Sequence, residues 1–431
     1  MARPWLLVTL CAAIAAARCG GASAPTAVDG DPLPASSPGV DPCAGLVQDR
    51  DAHPAGFLAK PGVGQTVVDP QFGVRLRRIT AVPVSEGENA VIKPVYSTVQ
   101  AWNADESRLI LWHRGKGHEL YDGRSYAFIR SLPLVSPTDI EQVLWDPVDP
   151  DVLYYPSNQN AVPNLMRYRV STNANELVRR FESCPVDWSR LLSLGGDPAY
   201  MSWGPRSKTM GLQCGDQKLL YDVASNTVLG SATLSTRNAP LASPSGALAY
   251  LDGRVYDRRL KLLRTLNLAN PFEHASLSRS AINGHDVYAS VVFDPPGGGS
   301  EAADAGTLVV HDMETGGRRV VVGIATGFPY PPGGTHVSAV AHRRPGWVAV
   351  SVVGDPRRND VLDGEMLVAN FDTGEVCRVA HHRSFAGEGR WGYWAEPHVV
   401  ISPTATRLLF GSDWGNGGSV DSYVVELPAY R

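Results

Sequence analysis

The chain has 431 residues, of which 43 are glycine and 33 are proline, while charged residues make up only 19%. Its 39 basic and 43 acidic residues give a formal net charge of −4. No basic tract is present, so nucleic acid is not an expected partner. This length fits two or more ordinary domains or one large repeat-built domain. Helical periodicity is scarce and short apolar runs recur between turn signals, which favours an all-β repeat architecture.

Residues 1–24 have the pattern of a secretion signal. A positive charge opens the segment, residues 6–17 form an apolar run too short to cross a bilayer, and small residues follow. We therefore expect a secreted or periplasmic protein. Lipid anchoring through Cys19 is the second alternative, because the three residues before it fit a lipid-attachment motif poorly. No other segment is apolar enough to cross a membrane.

Residues 25–66 are rich in alanine, proline, glycine and serine and show no periodicity, which predicts a flexible linker with Cys43 as its candidate tether. Four cysteines remain after removal of the signal, a number that suits two disulfides in an exported protein. We favour the pair Cys184 and Cys214 because these residues lie in neighbouring repeat units. The other connectivities and free buried thiols remain alternatives.

Residues 67–431 repeat one order of elements. A strand is followed by a turn rich in Asp, Asn, Ser, Pro or Gly, then by a second strand, a loop and a third strand that ends in a hairpin. Seven units of four short strands predict a seven-bladed β-propeller, and a pair of β-sandwiches is the alternative. The units begin at Tyr96, Asp139, Tyr200, Ala239, His274, His336 and His398.

The last unit contains only three strands before the chain ends. Without a fourth strand its sheet would keep a bare edge. Val67 to Thr80 has the composition of a strand and has no other assigned partner. We therefore predict that this segment completes the last blade, so that the two ends of the domain close the ring.

Three adjacent units begin their first strands with histidine. His274 and His398 stand four residues before the serine that opens the first turn, and His336 has the similar place in the unit between them. The first strand of each propeller blade lines the central channel, so these imidazoles should face one mouth. They are candidate ligands of a divalent metal, and one is a candidate general base. For each, a structural histidine that hydrogen-bonds within its own blade is the alternative.

Other candidates lie near this register. Glu396 is a candidate metal ligand, and Arg343 and Arg344 are candidates for pairing with a substrate carboxylate. His382 lies in the loop before the last unit and is a candidate to reach the same mouth. Each candidate also has a purely structural alternative. Glu396 would point outward, the two arginines would lie in an exposed turn, His382 would lie in a solvated loop, and the aromatic residues would pack between blades. The aromatic candidates for stacking on sugar faces are Tyr96, Tyr393 and Trp394.

The units resemble the propeller repeats of TolB-type and other WD-like periplasmic proteins, in which a Ser-Pro-Asp-Gly turn follows the innermost strand. The counterparts here are Ser243-Pro244-Ser245-Gly246 and Ser402-Pro403-Thr404-Ala405. A narrower resemblance, to oligogalacturonate lyases, rests on Gly334-Thr335-His336 and Trp394-Ala395-Glu396-Pro397-His398. It implies that the two histidines help to hold a divalent metal. The lyases have a glutamine where this chain has Ala395, and their third metal histidine has no assigned counterpart.

Two functions are expected. In the first, the chain is a secreted lyase that acts on a uronate-containing polysaccharide or oligosaccharide. His274 would remove the proton α to the carboxylate, and a Ca, Mn or Zn ion near His336 and His398, or Arg344, would neutralise that carboxylate and the enolate. In the second, a non-catalytic propeller binds glycan or protein at the same mouth. We expect a monomer in either case.

Overall fold

A computed structural model describes residues 41–182, 184, 192–193, 201–204, 208–236, 238–268, 274–292, 306–328, 335–354, 360–386 and 389–430. The expected secretion signal, Cys19 and Tyr200 lie outside these residues. Within them, no helix has the length and apolar character needed to cross a membrane.

Seven antiparallel sheets confirm the predicted seven-bladed β-propeller. The chain enters through a hairpin of two strands, β1 (Thr66–Val68) and β2 (Arg75–Arg78). Blade 1 contains β3 (Ile92–Lys93), β4 (Arg108–His113), β5 (Gly117–Asp122) and β6 (Phe128–Ser131). Blade 2 contains β7 (Leu144–Trp145), β8 (Val152–Ser157), β9 (Asn164–Arg169) and β10 (Ala174–Arg180). Blade 3 contains β11 (Leu192–Ser193), β12 (Thr209–Cys214), β13 (Gln217–Asp222) and β14 (Thr227–Thr233).

The remaining blades follow the same meander. Blade 4 contains β15 (Leu241–Ala242), β16 (Leu248–Leu251), β17 (Arg254–Asp257) and β18 (Leu262–Thr265), and blade 5 contains β19 (His274–Arg279), β20 (Asp286–Val291), β21 (Leu308–Asp312) and β22 (Arg318–Val322). Blade 6 contains β23 (Thr335–Ser338), β24 (Trp347–Val352), β25 (Glu365–Asn370) and β26 (Glu375–His381). Blade 7 contains β27 (Val400–Ile401), β28 (Arg407–Ser412) and β29 (Asp421–Glu426). Described 3-10 turns span Val84–Asn89, Gln159–Ala161, Ile324–Thr326 and Gly392–Ala395.

Burial along a blade explains why its strands have different compositions. The second strand of blade 6, β24, is buried at every position because neighbouring blades cover both of its faces. Its sequence, WVAVSV, is accordingly almost entirely apolar. The fourth strand of blade 4, β18, lies at the rim and leaves Leu262 and Leu263 about half exposed. The hydrophobic core is therefore the set of interfaces between blades.

Two blades begin earlier than predicted. Blade 1 starts with β3, before Tyr96, because Pro94 interrupts the ladder and residues 94–100 bulge before Trp102 pairs with β4 again. Blade 3 starts with β11, which pairs with the end of β12, rather than at Tyr200. Both inner strands are only two residues long, too short to show a period in the sequence.

The ring closes as predicted, since β2 pairs with β29 and places Leu76 opposite Val425. The predicted single strand is in fact a hairpin, and β1 adds a fifth strand outside β2. Asp69 explains the turn between them, because its Oδ1 accepts hydrogen bonds from the backbone N–H groups of Gln71 and Phe72. The first and last strands of the domain therefore share one sheet.

Two disulfides are present among the described cysteines. The predicted pair Cys184–Cys214 is confirmed, and Cys43 pairs with Cys377 of β26. The second bond attaches residues 41–65, here called the N-terminal segment, to blade 6. Further along, Lys60 forms an ion pair with Asp421 of blade 7 at 2.7 Å. The described part of this segment thus crosses from blade 6 to blade 7 and is held at both ends.

Candidate functional site

The three predicted histidines meet at one end of the central channel. The upper face is defined here as the face at which the inner strands of blades 5 to 7 begin. His274 is the first residue of β19, His336 is the second residue of β23, and His398 lies two residues before β27. The ring centroid of His336 is 4.6 Å from that of His274 and 4.2 Å from that of His398. The structure therefore brings these side chains into a single cluster.

Glu396 faces two of these imidazoles. Its Oε2 lies 3.5 Å from Nε2 of His336 and 3.5 Å from Nε2 of His398. All four ring nitrogens of the two histidines are buried without a hydrogen-bond partner, and each histidine is only 1% exposed. Candidate ligand atoms of the three residues all lie within 4.8 Å of one another. We call His336, Glu396 and His398 the upper-face cluster.

Burial sets the protonation of the cluster. It lowers the pKa of both imidazoles well below the ordinary histidine value, and electrostatic interactions with His274 and Lys93 lower it further. Burial also raises the pKa of the Glu396 carboxyl, against the opposing effect of Lys93. Both histidines are therefore neutral at neutral pH, the form that ligates metals.

The backbone at the cluster is strained. His398 has a φ of 43°, in the left-handed region that residues with a side chain rarely adopt. The preceding 3-10 turn, Gly392–Ala395, ends in a hydrogen bond from the Glu396 N–H to the Tyr393 carbonyl. Pro397 then accepts a hydrogen bond from the Gly411 N–H of β28. This path presents Glu396 and His398 side by side, and strain of this kind is concentrated at functional sites.

Lys93 was missed by the sequence interpretation. It lies on the inner strand of blade 1, is 2% exposed, and its Nζ donates a 2.9 Å hydrogen bond to the Glu396 carbonyl. Burial lowers the pKa of this lysine to about 7, although the negative charges of Glu396 and Glu141 oppose the shift. A lysine within the apolar run that starts at Val91 was the available signal, since lysines are almost never buried without a partner.

The predicted aromatic residues lie at different depths. Tyr96 is 5% exposed, and its ring centroid is 4.8 Å from that of His398 and 5.6 Å from that of His336. Tyr393 is 44% exposed and 5.1 Å from His398, so it forms part of the open rim. Trp394 stacks on Trp112 of β4, with ring centroids 5.2 Å apart. Tyr393 is thus the aromatic candidate that a ligand reaches most easily.

The two arginines lie elsewhere. Arg343 and Arg344 belong to the turn that joins β23 to β24, whereas His336 pairs with Ser351 near the other end of the same hairpin. At about 3.3 Å per residue, the turn lies roughly 15 Å or more along the strand from His336. The structure therefore does not bring the arginines to the upper-face cluster. They were grouped with His336 because they are close to it in sequence.

His382 lies on the upper face, but its ring is fully engaged. Its Nε2 is 2.9 Å from the Val352 carbonyl oxygen, and its Nδ1 accepts a hydrogen bond from the Ser384 N–H. The ring is 1% exposed, and burial lowers its pKa to about 4. His382 therefore contrasts with His336 and His398, which have equal burial but no partners.

The upper-face cluster fits a divalent metal. Two neutral imidazoles and one carboxylate form a set of three protein ligands that leaves positions open for water or substrate. The unpartnered ring nitrogens are the specific evidence, because buried polar atoms normally have a partner. Mixed nitrogen and oxygen donors suit Zn²⁺ or Mn²⁺ better than Ca²⁺, which prefers oxygen ligands throughout.

Comparisons with known proteins give matches only among solved structures. No protein-family model matches the chain, and no curated protein does. An oligogalacturonate lyase in complex with manganese aligns with 15% identity and a TM-score of 0.56, over 89% of this chain and 99% of its own. Oligogalacturonate lyase from Vibrio parahaemolyticus aligns with 13% identity and a TM-score of 0.57, over 85% and 97%. At this identity the likeness shows that the chain has the seven-bladed propeller fold of these lyases.

Proposed function

We propose that the chain is a metal-assisted lyase that cleaves a uronate-containing oligosaccharide or polysaccharide by β-elimination. One observation carries the proposal: His336 and His398 bury four unpartnered ring nitrogens against the Glu396 carboxylate. Burying such atoms away from water costs free energy of folding unless a ligand binds to them. The propeller fold shared with oligogalacturonate lyases, one of them solved with manganese, supports the same reaction class.

The elimination needs a base and a way to stabilise negative charge. The base takes the proton at C5, α to the uronate carboxylate. The electron pair of the C–H bond forms a C4–C5 double bond, and the glycosidic oxygen leaves C4 with the electron pair of the broken bond and gains a proton. A bound divalent cation would neutralise the carboxylate and the charge that develops on the enolate.

The proposal assigns roles to the residues at the mouth. His336, His398 and Glu396 would hold the cation, and Lys93 orients Glu396 through its backbone carbonyl. His274 is the proposed base because it stacks on His336 yet is only partly buried. Tyr393 would pack its exposed ring against the apolar face of a sugar at the rim.

The other aromatic candidates and the arginines differ in their support. Tyr96 would lie beneath the bound sugar, since its ring contacts both histidines of the upper-face cluster. Arg343 and Arg344 have no part in the proposal, because they lie at the other end of the blade 6 hairpin. The proposal therefore assigns charge neutralisation to the cation and not to Arg344.

Export is part of the proposal and rests on the signal-like residues 1–24. The disulfides Cys43–Cys377 and Cys184–Cys214 support it, because such bonds persist in oxidising compartments. Fractionation of the native host with an antibody against the protein tests this point, and recovery from the reducing cytoplasm alone would contradict it.

The test is ultraviolet absorbance during incubation with a panel of uronate polysaccharides and oligosaccharides, with Mn²⁺ or Zn²⁺ supplied. The C4–C5 double bond, conjugated with the carboxylate, absorbs where the substrate does not. We expect absorbance to rise with at least one substrate and to stop when the metal is chelated. Metal-dependent binding without any absorbing product would contradict the lyase and favour the non-catalytic glycan-binding propeller.

A further inference from the structure

A cavity opens on the same face as the upper-face cluster. It has a volume of about 530 Å³ and lies between residues 55–60 of the N-terminal segment and the upper loops of blades 6 and 7. Those loops contribute residues 381–385 and 414–415. Cavities that bind small molecules are typically of roughly 300–1,000 Å³. The space is therefore large enough for a sugar residue and is unused by the chemistry proposed above.

The cavity wall is joined to the upper-face cluster through two short paths of backbone contacts. His382, on the wall, bonds to the carbonyl of Val352, whose partner across the strand is Thr335, the residue before His336. The hydroxyl of Ser384, also on the wall, donates a hydrogen bond to the carbonyl of Ala395, the residue before Glu396. A chain ligand with one sugar at the cluster would therefore find the cavity beside it.

The wall presents aromatic side chains that suit a sugar ring. Phe57 is 95% exposed at the rim, and Phe385 and Trp414 line the interior. The indole N–H of Trp414 donates to the Leu58 carbonyl at 2.9 Å, which fixes that ring in place. Aromatic faces of this kind pack against the apolar faces of sugars and leave the hydroxyls to polar neighbours.

Polar groups for those hydroxyls are present, but their charges are already balanced. Lys60 pairs with Asp421, and Arg383 pairs with Asp69 at 3.2 Å. Asp363 adds a carboxylate to the same wall. Because the cations are shared with buried acids, the wall selects a sugar by stacking and hydrogen bonding rather than by net positive charge.

The wall is also held in its place. The N-terminal segment is attached to blade 6 by the Cys43–Cys377 disulfide and to blade 7 by the Lys60–Asp421 ion pair. Phe57 lies between these two attachments. A preformed wall lowers the entropic cost of binding, because fewer residues become ordered when the ligand arrives.

We propose that this cavity is a distal subsite that binds a further sugar residue of a chain whose uronate lies at the upper-face cluster. The inference rests on the proposed function and narrows its substrate class to saccharide chains longer than a disaccharide. Phe57 is the residue assigned to the sugar contact, and Trp414 lines the same cavity.

The experiment is calorimetric titration of the full chain, with Mn²⁺ present, using oligogalacturonates of two to six residues. In the wild type we expect affinity to rise with chain length. The Phe57→Ala variant should lower the ratio of hexamer to dimer affinity by roughly threefold to tenfold, the range for one aromatic contact. Ile282→Ala is the matched control, because Ile282 is 74% exposed on the β19–β20 turn at the opposite end of blade 5. It should keep the wild-type ratio.

The outcomes separate this inference from the proposed lyase. Equal ratios in the wild type and in Phe57→Ala, or no gain with chain length, would overturn the subsite even if unsaturated product forms. A reduced ratio in Phe57→Ala with no product from any uronate would support the subsite while the lyase fails. His336→Ala should weaken binding of every oligomer and keep the dependence on length, because it removes only the cluster.

Discussion

At the scale of single residues, His336 and His398 differ from His382 in the pairing of both ring nitrogens. His382 is as buried as His336, yet both of its ring nitrogens have partners. His336 and His398 have none and stand beside a carboxylate. Because an unpartnered buried nitrogen costs stability, their arrangement favours a role other than folding.

We predict that His336→Ala weakens Mn²⁺ or Zn²⁺ binding at least about 10–100-fold, since it removes one of three ligands. Without metal, the variant should unfold at a temperature equal to or above that of the wild type, because two unpartnered nitrogens leave the core. Metal titration by calorimetry and thermal unfolding by circular dichroism measure the two effects.

His342→Ala is the matched control for this experiment. His342 lies in the same blade and is 5% exposed, but it follows the other end of β23. It should bind metal as the wild type does. A His336→Ala variant that also keeps wild-type metal affinity would contradict the assignment of the cluster.

At the scale of elements, Asp69 joins three parts of the structure. It caps the β1–β2 turn, accepts hydrogen bonds from the backbone N–H and the ring of His381 at the end of β26, and pairs with Arg383. Burial alone would raise its pKa, but the contacts with His381 and the hydrogen bond from the Gln71 backbone N–H hold the pKa at about 2, below the ordinary 3.8. The closing hairpin and blade 6 are thus stabilised by one ionised carboxylate.

The sign of the resulting pH dependence follows from that lowered pKa. The stabilisation is complete above pH 3.8 and is lost as the pH falls from about 4 to about 2, and it amounts to about 2 kcal/mol. We predict that Asp69→Asn loses about this much unfolding free energy at pH 7 and that the deficit shrinks below pH 3.8. Urea unfolding across this pH range tests it.

Glu88→Gln serves as the control in that series, because the Glu88 side chain is 92% exposed. Its unfolding free energy should follow the wild-type curve at every pH. A deficit in Asp69→Asn that stays constant down to pH 2 would show that the charge of Asp69 is not the stabilising feature.

At the scale of the whole molecule, stability depends on the closed ring. The β2 strand is the contact through which the start of the domain completes the last blade, and Leu76 in it is fully buried against that blade. We predict that Leu76→Ala costs about 2–5 kcal/mol of unfolding free energy, as for other buried leucines. Val68→Ala, in the outer strand β1 where the side chain is 52% exposed, should change it by less than about 0.5 kcal/mol. Denaturant unfolding of both variants measures the difference, and equal losses would contradict closure through β2.

The fold was predictable because its signals are local and repeated. The turn residues and short apolar runs recur seven times, and a three-stranded last unit implies a partner from the start of the domain. The histidine register was predictable for the same reason, since equal positions in repeated units occupy equal positions in space. The hairpin form of residues 66–78 was missed because it depends on the capping of one turn by Asp69.

The remaining features of the site depend on contacts between distant segments. Lys93 reaches Glu396 across 303 residues of sequence, and no pattern around either residue indicates that approach. Arg343 and Arg344 are close to His336 in sequence but not in space. Seven or eight residues of a hairpin are enough to move a side chain from one face of a blade toward the other. The cavity beside Phe57 likewise requires the N-terminal segment to cross two blades, which its composition does not predict.

The most direct test of the central claim is anomalous X-ray diffraction from crystals of the full chain grown with Mn²⁺. We predict one anomalous peak on the upper face, within about 2.0–2.3 Å of ring nitrogens of His336 and His398 and of a carboxylate oxygen of Glu396. The peak should be missing from His336→Ala crystals grown in the same way. A wild-type structure without a peak at these residues, or with manganese only at another group such as His285, Asp312 and Glu314, would contradict the account.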